Sequence, residues 1–331
     1  MLRKTSMAAI HHGNYKCEGS GQMIRRLMQT MVVFLLTGAL TVSAVLTYVM
    51  VPDEVPEEET VQAEETGNTG NVRAVTVLEG KQDVYVTVLG DSIAKGYSGD
   101  EDVIIEPYSD IAMRQMAEEA GFQYEIASYA KNGLATAGMN KKILTDETVC
   151  GSVARSDVIF ITVGSNDLLN ECKSVVQEIL DTDTKFESAD EALRVLKESA
   201  ESNPLLVLSI IEALENWDYQ SFEANWIEMM ERIRNLKKED AWIVVTNIYN
   251  PVADMKIPET MARGVENVIL TMNEIIEKYA EEYDCQVVDL FHSDVHEHVQ
   301  KDGLHPDQMG QQIIADAICG EQKTENQKSE N

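Results

Sequence analysis

Ser92 closes the triplet Gly90-Asp91-Ser92, where the apolar run "VTVL" breaks off. A serine hydroxyl is a weak nucleophile until a neighbouring base accepts its proton. Histidine suits that task because its pKa lies near working pH. The segment Asp302-Gly303-Leu304-His305 offers such a base, with a carboxylate three residues ahead of it. In a tight turn entering a helix, this spacing lets Asp302 fold back on Nδ1 of His305. Asp302 then fixes the tautomer and stabilises the imidazolium, while Nε2 faces Ser92. An oxyanion developing on an attacked carbonyl needs donors already in place, each worth around 3 kcal/mol of barrier. The candidates are the Ser92 N–H, the Gly133 N–H in Asn132-Gly133, and the Asn166 side-chain amide in Gly164-Ser165-Asn166-Asp167. Gly133 has no Cβ, so substrate can approach its backbone closely.

Each of these residues also has a plainer use. An isolated Gly-Asp-Ser is a helix N-cap after a strand, and only its distant partners favour the nucleophile. Asp91 reads as a turn residue outside the triad. Asn166 has loop hydrogen bonding as its alternative, and Asp167 reads as a residue that orders its loop. The stretch "FHSDVHEHV" brings His292, His296 and His298 near Asp294. On a helix His292 and His296 would share a face and His298 would not. Solvated loop histidines therefore account for them better than zinc does.

The elements that must hold these groups alternate between strand and helix. Short runs rich in β-branched residues predict strands at 83–90, 122–130, 156–167, 240–251 and 285–291. Helical spacing marks 107–121, which starts at a proline and ends at a glycine, and also 187–202, 220–238, 259–283 and 307–319. Such alternation implies a parallel sheet with helices on both faces, whose ligands bind at the carboxyl ends of the strands. Ser92, Gly133 and Asn166 each follow a predicted strand, and Asp302 and His305 occupy the final loop. The segment 168–238 is longer than one crossover helix requires. Its Trp217, Tyr219, Phe222 and Trp226 either wall the cleft or pack as ordinary helix residues, and packing is the favoured reading.

The motifs GDSxxxG (Gly90 to Gly96), the glycine of Asn132-Gly133, GxND (Gly164 to Asp167) and DxxH (Asp302 to His305) occur in that order. The chain over residues 83 to 318 thereby resembles the SGNH (GDSL) hydrolase family. Ser92, Gly133, Asn166 and His305 fill the four letters of that name. Each motif alone is weak, whereas four in order, each after a predicted strand, are specific. The resemblance implies a flavodoxin-like, three-layer α/β/α fold and hydrolysis of acyl esters through an acyl-serine. It implies neither a metal nor an organic cofactor.

Composition narrows the partners. The chain has 331 residues, 44% of them hydrophobic, and a formal net charge of -30. So acidic a surface repels nucleic acid and anionic headgroups. Five cysteines (Cys17, Cys150, Cys172, Cys285, Cys319) show no ligand spacing. They read as thiols, with a disulfide among the last four as the alternative.

Residues 27–52 contain no charged side chain, follow Arg25 and Arg26, and precede Asp53 and Glu54. About 25 apolar residues suffice to cross a bilayer, and the charge bias puts residues 1–26 inside and the rest outside. An uncleaved anchor is favoured over a signal cut near Val42-Ser43-Ala44. Residues 53–75 read as an acidic tether, 76–320 as one hydrolase domain and 321–331 as a disordered tail.

The expectation is an extracytoplasmic serine esterase acting on a small-molecule or carbohydrate ester, such as O-acetyl groups of the cell envelope. Lysophospholipid hydrolysis is the alternative, and a noncatalytic surface-binding or scaffold protein is the alternative of another class. No protein partner is evident.

Overall fold

Two strands of the sheet read as nearly unbroken apolar sequence, "VIFIT" and "WIVVT", and both are buried at every residue. That is the pattern of parallel strands covered by helices on both faces. In the computed structural model, which describes residues 78–320 except 187–188, 204 and 254–258, the strands are β1 (Asp83–Gly90), β2 (Gln123–Ser128), β3 (Val158–Thr162), β4 (Trp242–Thr246) and β5 (Gln286–Val288). They form one sheet in the order β2-β1-β3-β4-β5 with every pairing parallel. This is the doubly wound order in which ligands sit at the carboxyl rim, where the order reverses beside the first strand. The candidate anchor at 27–52, the tether at 53–75 and the tail at 321–331 lie outside the described residues. Among the described residues no helix is long and apolar enough to cross a membrane.

The α-helices of four or more residues are α1 (Ser92–Lys95), α2 (Tyr108–Ala120), α3 (Glu147–Arg155), α4 (Ser165–Ile179), α5 (Ala189–Ser202), α6 (Leu206–Glu215), α7 (Gln220–Leu236), α8 (Glu259–Glu282) and α9 (Gln308–Cys319), with shorter or tighter helical turns at Thr136–Gly138, Met139–Ile143 and Asp294–Glu297. One face of the sheet buries Val84, Val86, Val88, Phe160 and Val244 against Tyr108, Ile111 and Met113 of α2 and Ile314 and Ile318 of α9. The other buries Leu89, Ile159, Ile161, Ile243 and Val245 against Trp226, Met229 and Ile233 of α7 and Ile269, Met272 and Ile276 of α8. Three layers result, as the alternation of elements implied.

Within the long segment 168–238, Phe222 and Trp226 join the second of these cores. Val176 of α4, Leu196 of α5 and Ile210 of α6 build a small satellite cluster with Phe186. Helix α4 occupies residues that the strand prediction had partly claimed, since the apolar run ends at Val163 and Gly164 turns the chain at φ 126°. Cys150, Cys172, Cys285 and Cys319 are thiols, none joined in a disulfide.

A chain of buried hydroxyls underlies the rim. Tyr108 Oη and Thr162 Oγ1 are 2.7 Å apart, and Thr246 Oγ1 donates to Thr162 Oγ1 at 3.0 Å. Asp91 N donates to the Thr162 carbonyl at 3.0 Å, which seats the start of α1 on the end of β3. Gln311 adds a clamp from α9, accepting from Tyr108 N at 2.8 Å and donating to the Ile93 carbonyl at 3.0 Å.

This close seating explains Gly90. A Cβ there would lie 2.6 Å from the Thr162 carbonyl oxygen and 2.6 Å from the Ala94 Cβ. Gly90→Ala is therefore expected to lower the unfolding free energy by roughly 1–3 kcal/mol, read from urea denaturation. Unchanged stability would mean that the end of β1 is free to shift.

Candidate active site

Strand β1 delivers the chain to Asp91, whose extended backbone (φ -98°, ψ -152°) and side chain cap helix α1. Asp91 Oδ1 accepts from Ile93 N at 2.8 Å. Ser92 is thus the first residue of a four-residue helix, buried, and its Oγ lies 2.8 Å from His305 Nε2. His305 Nδ1 lies 2.7 Å from Asp302 Oδ2. The structure accordingly brings Ser92, Asp302 and His305 into one hydrogen-bonded row.

The three-residue spacing works as an Asx-type turn. Asp302 Oδ1 accepts from Leu304 N at 2.9 Å and from His305 N at 3.0 Å, leaving Oδ2 for the imidazole. Partial burial pushes the Asp302 carboxyl up. The two backbone donors and the His305 ring more than offset that and hold it below the usual carboxylate range. Asp302 stays ionised at neutral pH, as the imidazole requires.

Residues that carried no motif hold this turn in place. Gln300 donates through Nε2 to the Tyr97 carbonyl (2.7 Å) and the Pro306 carbonyl (3.0 Å), and accepts from Gly99 N at 2.9 Å. Gln300 N also donates to the His305 carbonyl at 2.7 Å. Tyr249, buried at the end of β4, donates its hydroxyl to the Leu304 carbonyl. The Tyr97 ring lies over the His305 ring with centroids 4.5 Å apart, tilted by 50°. Tyr97 follows the GDSxxxG motif directly, and an aromatic beside a nucleophile turn was the one available signal. A lone glutamine in a polar loop offers none.

The three candidate oxyanion donors stand on adjacent strands. Gly133 follows β2, Ser92 follows β1, and Asn166 begins α4 after β3. Among the described residues none accepts from the Ser92 or Gly133 N–H. Gly133 has φ +72°, the left-handed region that disfavours a side chain. A Cβ there would meet nothing within 4 Å, so the backbone conformation, and no crowding within the protein, calls for glycine. Asn166 donates through Nδ2 to Asp91 Oδ2 at 3.1 Å.

The two remaining motif carboxylates lie outside the row and bond to neighbouring segments. Asp167 accepts from Thr136 N at 3.0 Å and from Thr136 Oγ1 at 2.5 Å, tying α4 to the segment after Gly133. Burial pushes its carboxyl up against those hydrogen bonds. Asp91 is 0% exposed, and burial pushes its carboxyl to about 7 despite donors from Ile93, Asn166 and Ala94.

His292, His296 and His298 make their hydrogen bonds outside this row. His292, after β5, has Nδ1 2.6 Å from Asp289 Oδ2 and is 72% exposed. His296 Nδ1 lies 3.0 Å from the Ser293 carbonyl. The His298 N–H donates to the Val295 carbonyl at 3.0 Å. Among the described residues no group of three or more histidines, cysteines and carboxylates has a geometry that could hold a metal.

A five-stranded parallel sheet between two helical layers, with serine, histidine and aspartate joined at its carboxyl rim, is a flavodoxin-like α/β/α architecture. The chain belongs to the GDSL-like lipase/acylhydrolase family, whose sequence profile matches residues 88–313. No curated relative matches it.

Among solved structures, a lipase from a goat rumen metagenome is 20% identical over 70% of this chain and 94% of that one, with a TM-score of 0.49. An acetyl xylan esterase from Geobacillus stearothermophilus is 14% identical over 72% of this chain and 94% of that one, TM-score 0.44. A phospholipase A1 from Streptomyces albidoflavus is 16% identical over 72% of this chain and 98% of that one, TM-score 0.46. At such distances these likenesses say nothing of substrate.

The raised Asp91 carboxyl has a consequence for stability. Below its ordinary value of 3.8 both folded and unfolded chains hold the proton. Between there and about 7 only the folded chain does, and above about 7 neither does. Rising pH across that window therefore works against the native state. Subtracting the unfolding free energy of Asp91→Asn from that of wild type removes the groups common to both. The difference is expected to move against wild type from pH 4 to pH 7 and to level off above. A difference that stays flat would mean that Asp91 titrates alike in both states.

Proposed function

We propose that the chain is a serine ester hydrolase that works through an acyl-Ser92 intermediate. The observation that carries this reading is the row Ser92 Oγ, His305 Nε2, His305 Nδ1, Asp302 Oδ2, joined at 2.8 and 2.7 Å. Ser92 Oγ attacks the ester carbonyl as His305 Nε2 takes its proton, and Asp302 stabilises the resulting imidazolium. The tetrahedral oxyanion is received by the N–H groups of Ser92 and Gly133 and by the Asn166 amide. His305 returns the proton to the leaving alcohol oxygen as the C–O bond breaks. Water, deprotonated by the same Nε2, then attacks the acyl carbon; the acid departs and the proton goes back to Ser92.

The favoured substrate is a short acyl ester on carbohydrate of the cell envelope. Its support is the sequence ahead of the domain. An apolar stretch at 27–52, basic residues before it and an acidic tether at 53–75 suit a domain held outside the membrane. One observation favours a second reading, an acylhydrolase of lysophospholipid type. The segment between Tyr97 and Tyr108, tied to the His305 turn at Gly99, leaves Ile104 93% exposed with Val103 beside it. A noncatalytic role for the fold is disfavoured by the complete hydrogen-bonded row.

Purified full-length chain is expected to hydrolyse p-nitrophenyl acetate, and Ser92→Ala to lower kcat at least about 10³-fold. A fluorophosphonate should add its mass to wild type at Ser92 and leave the variant unlabelled. Equal turnover by both proteins would remove this mechanism. Acetate release from O-acetylated peptidoglycan or xylan supports the carbohydrate substrate, whereas preference for long-chain esters and lysophosphatidylcholine transfers the assignment to lipid.

A further inference from the structure

Asp91 is a costly choice for the position it fills. Serine or asparagine caps a helix as well as aspartate does, and neither places an ionisable acid where 0% of the residue is exposed. Capping uses only Oδ1, which accepts from Ile93 N at 2.8 Å. The second oxygen, Oδ2, accepts from Asn166 Nδ2 at 3.1 Å, linking the start of α1 to the start of α4.

The two ends of an asparagine amide have nearly the same shape and opposite hydrogen-bonding character. A neutral neighbour with both donor and acceptor capacity would tolerate either end. Above about pH 7 the Asp91 carboxyl is ionised and accepts only, so there it admits the nitrogen of Asn166 and excludes the oxygen, whereas the protonated acid admits either end. Nδ2 carries two N–H groups. With one bound to Asp91, the other remains for a substrate oxygen at Ser92, the next residue in the chain.

We propose that Asp91 is a positioning residue that sets the end of the Asn166 amide presented to the oxyanion. It touches no reacting atom and acts through Asn166. The inference rests on the reading of Ser92 as nucleophile, and goes beyond it by giving Asp91 a task other than helix capping. Asn166 turned the other way would set its carbonyl against a developing negative charge, replacing a donor with a repulsive dipole.

Asp91→Ser separates the two uses of the carboxylate. The hydroxyl still caps α1 but is too short to reach Asn166. With p-nitrophenyl acetate above about pH 7, where wild-type Asp91 is ionised, Asp91→Ser is expected to lower kcat about tenfold to a hundredfold with KM within about twofold. The Ki of a phenylboronic acid, which forms a tetrahedral adduct on Ser92, should rise by a similar factor. Asn166→Ala should lower kcat about 10²-fold, and the double variant should fall no further than Asn166→Ala alone.

Should the serine variant fail to fold, Asp91→Asn supplies the same test. It keeps shape and cap but meets the Asn166 nitrogen with a donor, which favours the turned amide. Its kcat is expected to fall likewise, again without further loss beside Asn166→Ala. Unchanged kcat and boronate affinity in the folded variant would overturn the proposal, as would losses that simply multiply in the double variant. Ser92→Ala as active as wild type would overturn the hydrolase reading itself, which is a separate outcome.

Discussion

One hydrogen bond joins residues 213 positions apart, from His305 Nε2 to Ser92 Oγ at 2.8 Å, and much of the domain exists to keep it short. It forms only if the end of β1 and the turn before α9 arrive at the same point. The sheet sets β1 between β2 and β3, buried on both faces from Val86 to Gly90, and α9 packs on one of those faces beside α2. Gln311 and Gln300 then stitch the last segment to the backbone of residues 93, 97 and 108. A misplacement of about 1 Å at such a site costs rate steeply. That makes intelligible the number of side chain-to-backbone bonds around a turn of four residues.

The carboxylates around the rim illustrate how burial and hydrogen bonding divide labour. Asp302 must remain charged to orient His305, and three donors hold it ionised against partial burial. Asp91 and Asp167 are more deeply enclosed, and for both of them burial outweighs the donors and raises the carboxyl. Both bridge separate pieces of chain, Asp91 from α1 to Asn166 and Asp167 from α4 to Thr136. In a chain of net charge -30 the site is built from acids whose charge is individually managed. Beyond the first turn of α4, which supplies Asn166 and Asp167, the long insertion of α4 to α6 contributes little to this, since it closes mostly on its own satellite cluster.

The four motif blocks were legible because turn chemistry and strand chemistry look different in sequence. Gly90-Asp91-Ser92 interrupts an apolar run, Gly164 ends another, and Asp302 and His305 stand at a spacing that an Asx turn converts into contact. The strands were equally plain, for a parallel strand covered on both sides has little besides apolar residues to show. Helices α1, α3, α4 and α6 lie outside the helical ranges that the sequence predicts. Helix α4 starts at a glycine with no side-chain cap, and its first turn is the GxND motif itself. Tyr97, Tyr249 and Gln300 went unnoticed because what each does is contact something remote, and no local pattern announces a remote contact.

Residue order along this chain therefore determined the alternation of strand and helix, the turns that interrupt it and the identity of every group able to do chemistry at the rim. These are local matters, decided by side-chain shape, backbone freedom and periodicity. Tertiary structure alone decided that Asp91 and Asn166 bond to each other, that Tyr97 covers His305, and that Tyr249 reaches the Leu304 carbonyl. Each of those depends on distances between segments far apart in sequence, which only the packing of helices onto a twisted sheet sets.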